Sequence, residues 1–159
     1  MAAPVTTDAA AIDGLVVYDR CIAELDPRTL YALLKLRTDV FVVEQACPYP
    51  ELDGRDTEPA TRHLWAAPPG EEAKVACYLR VLEQPDGHRR MGRVVTAPSH
   101  RGNRMAGRLL TLALKRYPGT VDIDAQAHLE GFYASLGFTA AGPTFLEDGI
   151  LHVPMRRDG

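Results

Sequence analysis

Short apolar runs and longer amphipathic stretches alternate along this chain, and their periods predict its elements. Runs typical of strands cover residues 14–19, 62–67, 74–82, 91–96, 121–125, 138–141 and 150–156. Helical periodicity covers residues 27–43, 103–117 and 129–136. The predicted order is therefore β-α-β-β-β-α-β-α-β-β, and the short turns between residues 62 and 96 predict an antiparallel meander.

Three features mark the first helix and the segment after it. Asp26-Pro27 supplies an N-cap and then proline at the first helical position. Arg37 lies on the apolar stripe of this helix, where a charge is unusual. Residues 46–61 contain three prolines, one glycine and four carboxylates, so we expect a long irregular loop of the kind that is often functional.

The composition is that of one ordinary globular domain. The chain has 159 residues, of which 46% are hydrophobic and 25% charged, which argues against disorder, collagen-like repeats and a disulfide scaffold. No apolar run approaches the ~20 residues needed to cross a bilayer. Residues 1–12 lack the basic start and apolar stretch of a secretory signal. We therefore predict a flexible tail at residues 1–12 and a single domain at residues 13–159, in the cytoplasm.

Cysteine usage agrees with that location. Cys21, Cys47 and Cys77 are odd in number, lie far apart and form no C-x-x-C pair. This pattern favours a reducing compartment and argues against a zinc site.

The formal net charge of −3 conceals two opposed regions. Residues 87–121 hold eight basic residues and no acidic one, whereas the rest of the chain holds 10 basic and 21 acidic residues, a net of −11. Such a cationic segment bears on partners rather than on fold. Few aromatic side chains accompany it, and the remainder is anionic, so we expect neither a nucleic-acid partner nor a membrane partner.

The segment that joins the predicted strand 91–96 to the next helix is rich in small and basic residues. A helix start presents unpaired N–H groups and the positive end of a dipole, so it binds phosphate. Gly102, Ala106 and Gly107 would allow close approach, Asn103 would cap the helix, and arginines would add charge-assisted hydrogen bonds. From these residues alone, a phosphate site and a solvated basic helix face both remain open.

A family resemblance favours the phosphate site. Residues 101–106, Arg-Gly-Asn-Arg-Met-Ala, resemble the R-x-x-G-x-G/A signature of the GNAT acetyltransferases, although Arg104 stands where glycine is usual. Residues 132–138, Phe-Tyr-Ala-Ser-Leu-Gly-Phe, resemble the F-Y-x-x-x-G-F segment after the fifth strand of that family. The ElaA-like branch of that family has segments similar to residues 36–45, 47–49, 52–56, 126–129 and 147–150 of this chain. The resemblance covers nearly all of residues 30–155.

This resemblance implies a fold, a co-substrate and a set of contacts. The fold would be α+β, with a mixed, mostly antiparallel twisted sheet of six to seven strands and helices on both faces. The co-substrate would be acetyl-CoA, with no metal, and the acceptor an amine of a small molecule or peptide; the protein would be a monomer or a homodimer. The implied coenzyme-binding residues are Val94, Val95, Thr96, Arg101, Gly102, Asn103, Arg104, Met105, Ala106, Gly107, Arg108, Gln126 and Phe132.

Acyl transfer from a thioester to an amine needs a neutral nucleophile, a polarised carbonyl and a proton for the leaving thiolate. The resemblance places Tyr133 beside the coenzyme sulfur, where a phenol can act as general acid. Glu44, which ends the first helical region just before the acidic loop, leads as general base. His63, His128 and His152 are alternatives, because histidine titrates near neutral pH.

We expect the acceptor to bind near the acidic loop. Asp53, Asp56 and Glu58 form either a solvated loop or an acidic rim that attracts a cationic amine. The side chains expected to contact the acceptor are Phe41, Asp53, His63 and His128.

Two other functions remain open at this point. The residues Arg37, Val40, Phe41, Glu44, Asp53 and Asp56 resemble the R-x-x-V-F and acidic pattern of the acyl-homoserine-lactone synthases, whose fold is related. Those enzymes are longer and usually lack so clear an arginine-glycine cradle. The other alternative is a non-catalytic protein that binds acyl-CoA.

Overall fold

Residues 11–159 are described by a computed structural model in which nine strands share one sheet. The strands are β1 (Ala11–Ile12), β2 (Leu15–Arg20), β3 (Arg62–Ala67), β4 (Cys77–Glu83), β5 (Arg89–Thr96), β6 (Val121–Gln126), β7 (Thr139–Ala140), β8 (Phe145–Glu147) and β9 (Ile150–Arg157). The α-helices are α1 (Pro27–Thr38), α2 (Met105–Arg116) and α3 (Glu130–Ser135). The strand order is β1-β2-β3-β4-β5-β6-β9-β7, with β8 paired to β9.

Helices cover both faces of the sheet, so its central strands are buried on both sides. Leu64 and Ala66 of β3 belong to a core that includes Leu109 of α2, whereas Trp65 and Ala67 belong to a second core with Leu33 of α1. This alternation follows from the two-residue period of a strand. The predicted α+β fold is confirmed.

Every pairing in the sheet is antiparallel except that of β5 with β6. Those two strands pair only at Arg89 with Val121 and Arg90 with Asp122. Beyond this point β5 continues alongside β4, whereas β6 continues alongside β9. The two strands therefore separate towards their C-terminal ends.

The sheet has more strands than the six to seven predicted, because β1 and β8 are too short to show a hydrophobic period. β1 places Ala11 and Ile12 opposite β2, and Ile12 is buried, so the predicted tail is wrong for these two residues. Residues 1–10 of that predicted tail lie outside the described residues. β8 forms a hairpin with β9 through Asp148-Gly149, a dipeptide that favours tight hairpin turns. No helix within residues 11–159 is long and apolar enough to span a membrane.

The first helix begins where the capping signal predicts and ends earlier than its periodicity suggests. A side-chain oxygen of Asp26 accepts a hydrogen bond from the Thr29 backbone N–H at 2.9 Å, and Pro27 occupies the first turn. The α-helix stops at Thr38, and Asp39–Glu44 form a wider π-helical turn instead of continuing to residue 43. This turn buries Val40.

Arg37 anchors the long loop to the helix. Its guanidinium is fully buried and contacts a Glu51 oxygen at 2.8 Å and an Asp56 oxygen at 2.6 Å. Because burial of an unpaired charge is very costly, these two carboxylates must accompany it. The charge on the apolar stripe thus has its partners in residues 46–61.

Two further arginines extend this cluster from the sheet. Arg80 of β4 contacts Asp53 at 2.8 Å and Asp56 at 3.1 Å. Arg93 of β5 contacts Glu51 at 2.9 Å. Three guanidinium groups and three carboxylates therefore fasten the loop to α1, β4 and β5, and we call these six residues the arginine–carboxylate cluster.

We predict that Arg37→Met lowers the free energy of unfolding by about 3–5 kcal/mol, because Glu51 and Asp56 would remain buried without their main counter-charge. Urea denaturation of the purified variant measures this. Lys35→Met is the matched control, since Lys35 lies on the same helix and forms an exposed pair with Asp39; it should change stability little. Equal unfolding midpoints for the two variants would contradict the anchoring role.

Candidate functional site

The separation of β5 from β6 opens a cleft of about 520 Å³ in the middle of the sheet. Strand β5 contributes Met91, Gly92, Arg93 and Val94 to its lining. Strand β6 contributes Ile123, Asp124 and Gln126. Because neither strand has a sheet partner on this side, their backbone polar groups are available to a ligand.

A β-bulge shapes the β5 side of the cleft. Tyr78 of β4 pairs with Val95, but Arg80 pairs with Gly92, so Arg93 and Val94 share one position opposite β4. Arg93 adopts φ 52° there. A bulge bends its strand and increases the local twist, which directs β5 away from β6. Of the predicted contacts on this strand, Val94 lines the cleft, whereas the Val95 side chain is buried in the core.

Tyr133 of α3 lies on the wall of the cleft. Its side chain is 8% exposed and packs edge-on against Phe132 and Phe138, with ring centroids at 5.0 and 5.9 Å. Its hydroxyl has no hydrogen-bond partner among residues 11–159. Burial raises the pKa of Tyr133 to about 12, so the phenol keeps its proton at neutral pH.

The start of α2 lacks the side-chain cap that Asn103 was expected to supply. The N-cap position is occupied by Arg104, and no side chain of residues 11–159 caps the helix. Arg104 adopts the left-handed conformation, φ 56°, that glycine favours. Arg104 therefore replaces the usual glycine of the signature while its backbone keeps a conformation that glycine favours. The N–H groups at the helix start remain available to an anion.

A second concavity, a groove of about 740 Å³, runs between α2 and α3. Gly107 of α2 faces Phe132 of α3 across it, and a Cβ at that position would lie 3.4 Å from the ring, close to an ordinary van der Waals contact. The groove is lined by apolar side chains that include Leu112, and by the cations Arg104, Arg108 and Lys115. It begins beside the helix start described above.

The cationic segment is largely neutralised by the folded chain. Six of its eight basic residues contact carboxylates: Arg89, Arg90, Arg93, Arg101, Arg108 and Arg116. Within residues 11–159, only Arg104 and Lys115 of the eight form no ion pair, and both line the groove. The uncompensated positive charge of the segment is thus concentrated at one surface, which suits a small polyphosphate better than an extended nucleic acid.

The predicted acidic rim is wrong. Asp53 and Asp56 belong to the arginine–carboxylate cluster, and Glu58 contacts Arg55 at 3.0 Å. Each of the three predicted carboxylates is therefore neutralised by an arginine of this chain, and the loop offers no excess of negative charge to a cationic acceptor.

The structure brings together some of the predicted acceptor-side residues and separates others. Phe41, Asp53 and His128 line the cleft, as does His152. His63 is 1% exposed and outside the cleft, where its ring nitrogens bond Tyr78 at 2.7 Å and the Asp56 carbonyl at 3.1 Å. Burial lowers the pKa of His63, so it is a neutral part of the core rather than an acceptor contact.

Glu44 also lies outside the lining of the cleft. Its carboxylate accepts two hydrogen bonds from Arg101, at 2.5 and 2.7 Å. These bonds hold the pKa of Glu44 below its ordinary value, which makes it a weaker base. Of the two predicted catalytic side chains, Tyr133 lines the cleft and Glu44 does not.

His152 has a feature that sequence alone did not show. Its Nδ1 lies 2.8 Å from the Ile150 carbonyl oxygen. Because a carbonyl can only accept, Nδ1 carries the hydrogen and the neutral ring has its lone pair on Nε2. The ring stacks on Phe145 with centroids 5.6 Å apart, which fixes its orientation.

One other cluster could coordinate a cation by its residue types. Asp86, His88 and Asp122 lie together near the paired ends of β5 and β6, with candidate ligand atoms within 4.8 Å of one another. Arg156 already donates to an Asp122 oxygen at 2.7 Å. The cluster is explained by these internal contacts, and we assign no metal to it.

Known proteins resemble this chain in both sequence and structure. Residues 42–158 match the family model described as an acetyltransferase (GNAT) domain. A UPF0039 protein of Mycobacterium tuberculosis is 51% identical over 142 residues, which cover 86% of this chain and 88% of the relative. An acyl-CoA N-acyltransferase from Pseudomonas aeruginosa is 40% identical with a TM-score of 0.80, covering 90% of this chain and 99% of that one. Escherichia coli ElaA is 35% identical with a TM-score of 0.82, covering 91% and 99%.

We predict that Arg104→Gly raises the free energy of unfolding by about 0.5–1 kcal/mol. Removing the Cβ relieves a left-handed clash of about 1–2 kcal/mol, which outweighs the roughly 0.5–1 kcal/mol of added chain entropy. Thermal or urea unfolding measures the change. Arg104→Ala, which keeps the Cβ, should show no such gain; equal gains in both variants would attribute the effect to the arginine side chain instead.

Proposed function

Because the chain belongs to the GNAT acetyltransferase family and has ElaA among its relatives, we propose that it transfers an acetyl group from acetyl-CoA to a primary amine. Acyl transfer is the activity that family and fold support. The main support for transfer from acetyl-CoA to an amine is the cleft between β5 and β6. The unpaired edges of these strands and the buried, protonated Tyr133 line the same cleft.

The donor would be held by the start of α2 and the edge of β5. The free N–H groups at the helix start and the Arg104 side chain suit the pyrophosphate, and left-handed strain at Arg104 is typical of a functional position. Lys115 and Arg108 in the groove suit the remaining phosphate of the nucleotide. The backbone of Val94, Val95 and Thr96 would bond the pantetheine arm.

Tyr133 would supply the proton that the leaving thiolate needs. As the amine nitrogen attacks the thioester carbonyl, a C–N bond forms and the C–S bond breaks, and the sulfur takes the phenolic proton. A phenol whose pKa is raised to about 12 stays protonated until the thiolate develops. The tyrosinate regains a proton from solvent, and solvent takes up the proton that the amine nitrogen released, so no net proton is gained or lost.

His152 is the residue we propose to accept the proton of the amine. It lines the cleft, and its Nδ1–H is held by the Ile150 carbonyl, so Nε2 can accept. Glu44 was the leading candidate on sequence, but it does not line the cleft, whereas His152 does. Phe41 and His128 remain proposed contacts for the acceptor.

The alternative of a lactone synthase loses its main support. Of the six residues that carry the resemblance, Arg37, Asp53 and Asp56 belong to the arginine–carboxylate cluster that anchors the loop. A structural role therefore accounts for the pattern without a different reaction. A non-catalytic acyl-CoA-binding protein is distinguished by the first experiment below.

The acceptor is proposed to be an amine of a small molecule or peptide, on the ground of family membership rather than of loop charge. A cytoplasmic location and a monomeric or homodimeric state stay predictions. Cys21, Cys47 and Cys77 are free thiols, as the proposed reducing compartment requires.

We predict that the protein releases thiol from acetyl-CoA in the presence of a primary amine, and that Tyr133→Phe lowers kcat by about a hundredfold or more. The affinity for acetyl-CoA should change little, because only the hydroxyl is lost. Thiol release across a panel of amines measures turnover, and calorimetry measures binding.

Tyr117→Phe is the control for the tyrosine substitution, since its hydroxyl bonds Asp19 away from the cleft. It should leave kcat unchanged. Full turnover by Tyr133→Phe would remove this residue from the mechanism. Binding of acetyl-CoA without thiol release by any amine would instead favour the non-catalytic alternative.

We further predict that His152→Asn lowers kcat/KM for the amine at least tenfold while acetyl-CoA affinity is retained, because proton acceptance by a positioned histidine is lost. His128→Asn is the comparison, since His128 also lines the cleft but is a proposed acceptor contact rather than the base; it should raise KM for the amine and leave kcat unchanged. A larger loss in His128→Asn than in His152→Asn would reverse the assignment.

A further inference from the structure

Arg101 of the proposed donor site makes three hydrogen bonds within the protein. Its two terminal nitrogens donate to the two Glu44 oxygens at 2.5 and 2.7 Å, and its Nε donates to the Thr96 carbonyl at 3.3 Å. The pair joins residues separated by 57 positions in the chain. The guanidinium edge that would face a phosphate is therefore occupied by a carboxylate.

The position of Glu44 is not explained by its own helix. It ends the π-helical turn Asp39–Glu44, and a negative charge at the C-terminal end of a helix is unfavourable because carbonyl oxygens are exposed there. The favourable contact of this carboxylate is the one with Arg101. The salt bridge, rather than local helix energetics, accounts for the carboxylate in this place.

A carboxylate and a phosphate make the same paired contact with a guanidinium. Arg101 cannot present the same edge to both at once. We propose, resting on the proposed function, that Glu44 acts as a surrogate anion that occupies Arg101 in the free protein and is displaced by the phosphates of the acyl donor. Glu44 thereby weakens donor binding.

Displacement also returns a free carboxylate to the edge of the acceptor side. The next residue, Gln45, lines the cleft, and its side-chain oxygen accepts from Gln126 at 3.4 Å. Binding of the donor therefore adds one negative charge next to the mouth of the cleft, where an ammonium acceptor arrives. This order of events favours donor binding before acceptor binding.

The test is calorimetric titration of coenzyme A into the full-length protein and two variants. Glu44→Gln removes the surrogate charge and should lower the Kd for coenzyme A about twofold to fivefold, the range expected for loss of an exposed competing ion pair. The difference from the parent protein should shrink at about 1 M salt, where such pairs are screened.

Asp39→Asn controls for the general loss of one negative charge. Asp39 lies on the same turn, is similarly exposed and contacts Lys35 instead of Arg101, so its Kd for coenzyme A should match that of the parent protein. Equal affinities for Glu44→Gln and Asp39→Asn, or weaker binding by Glu44→Gln, would overturn the inference. If the parent protein and both variants all fail to bind coenzyme A, the proposed function itself fails.

Discussion

The site depends on one limit in the hydrogen bonding of the sheet: β5 and β6 pair at two positions and then part. Beyond that point β5 stays paired with β4 and β6 with β9, so the sheet remains hydrogen-bonded on both sides of the gap. The bulge at Arg93 and Val94 bends β5 at the point where the gap widens. A continuous nine-stranded sheet would have closed over this space, and Tyr133 would have had no opening to face.

Charge neutralisation within the chain is the second organising feature. Burial of Arg37 requires carboxylates, and the loop at residues 46–61 supplies them from an otherwise irregular backbone. In residues 87–121 most cations are also paired with carboxylates. Within the described residues, the two cations of this segment that have no carboxylate partner are Arg104 and Lys115. A chain that is acidic overall can in this way present a local positive surface to a polyanion.

Much of the fold was predictable because local signals agreed with tertiary structure. Asp26-Pro27 marked the start of α1, and the small and basic residues at 101–107 marked the start of α2. The burial of His63 and the pairing of Asp53 with Arg80 were not predictable, since those contacts join residues 15 and 27 positions apart in the chain. The strand at Ala11–Ile12 is too short to show a period.

The arginine–carboxylate cluster has a consequence for how this loop can change. Its carboxylates are on one segment, whereas their counter-charges are on a helix and two strands. Transplanting the loop from a relative would carry the acids without the arginines, and each mismatch would leave a desolvated charge. Substitutions in this part of the cleft wall are therefore tolerated only together with substitutions on α1, β4 and β5. The β8–β9 hairpin is less constrained, because its exposed residues Glu147 and Asp148 also line the cleft and are not members of the arginine–carboxylate cluster.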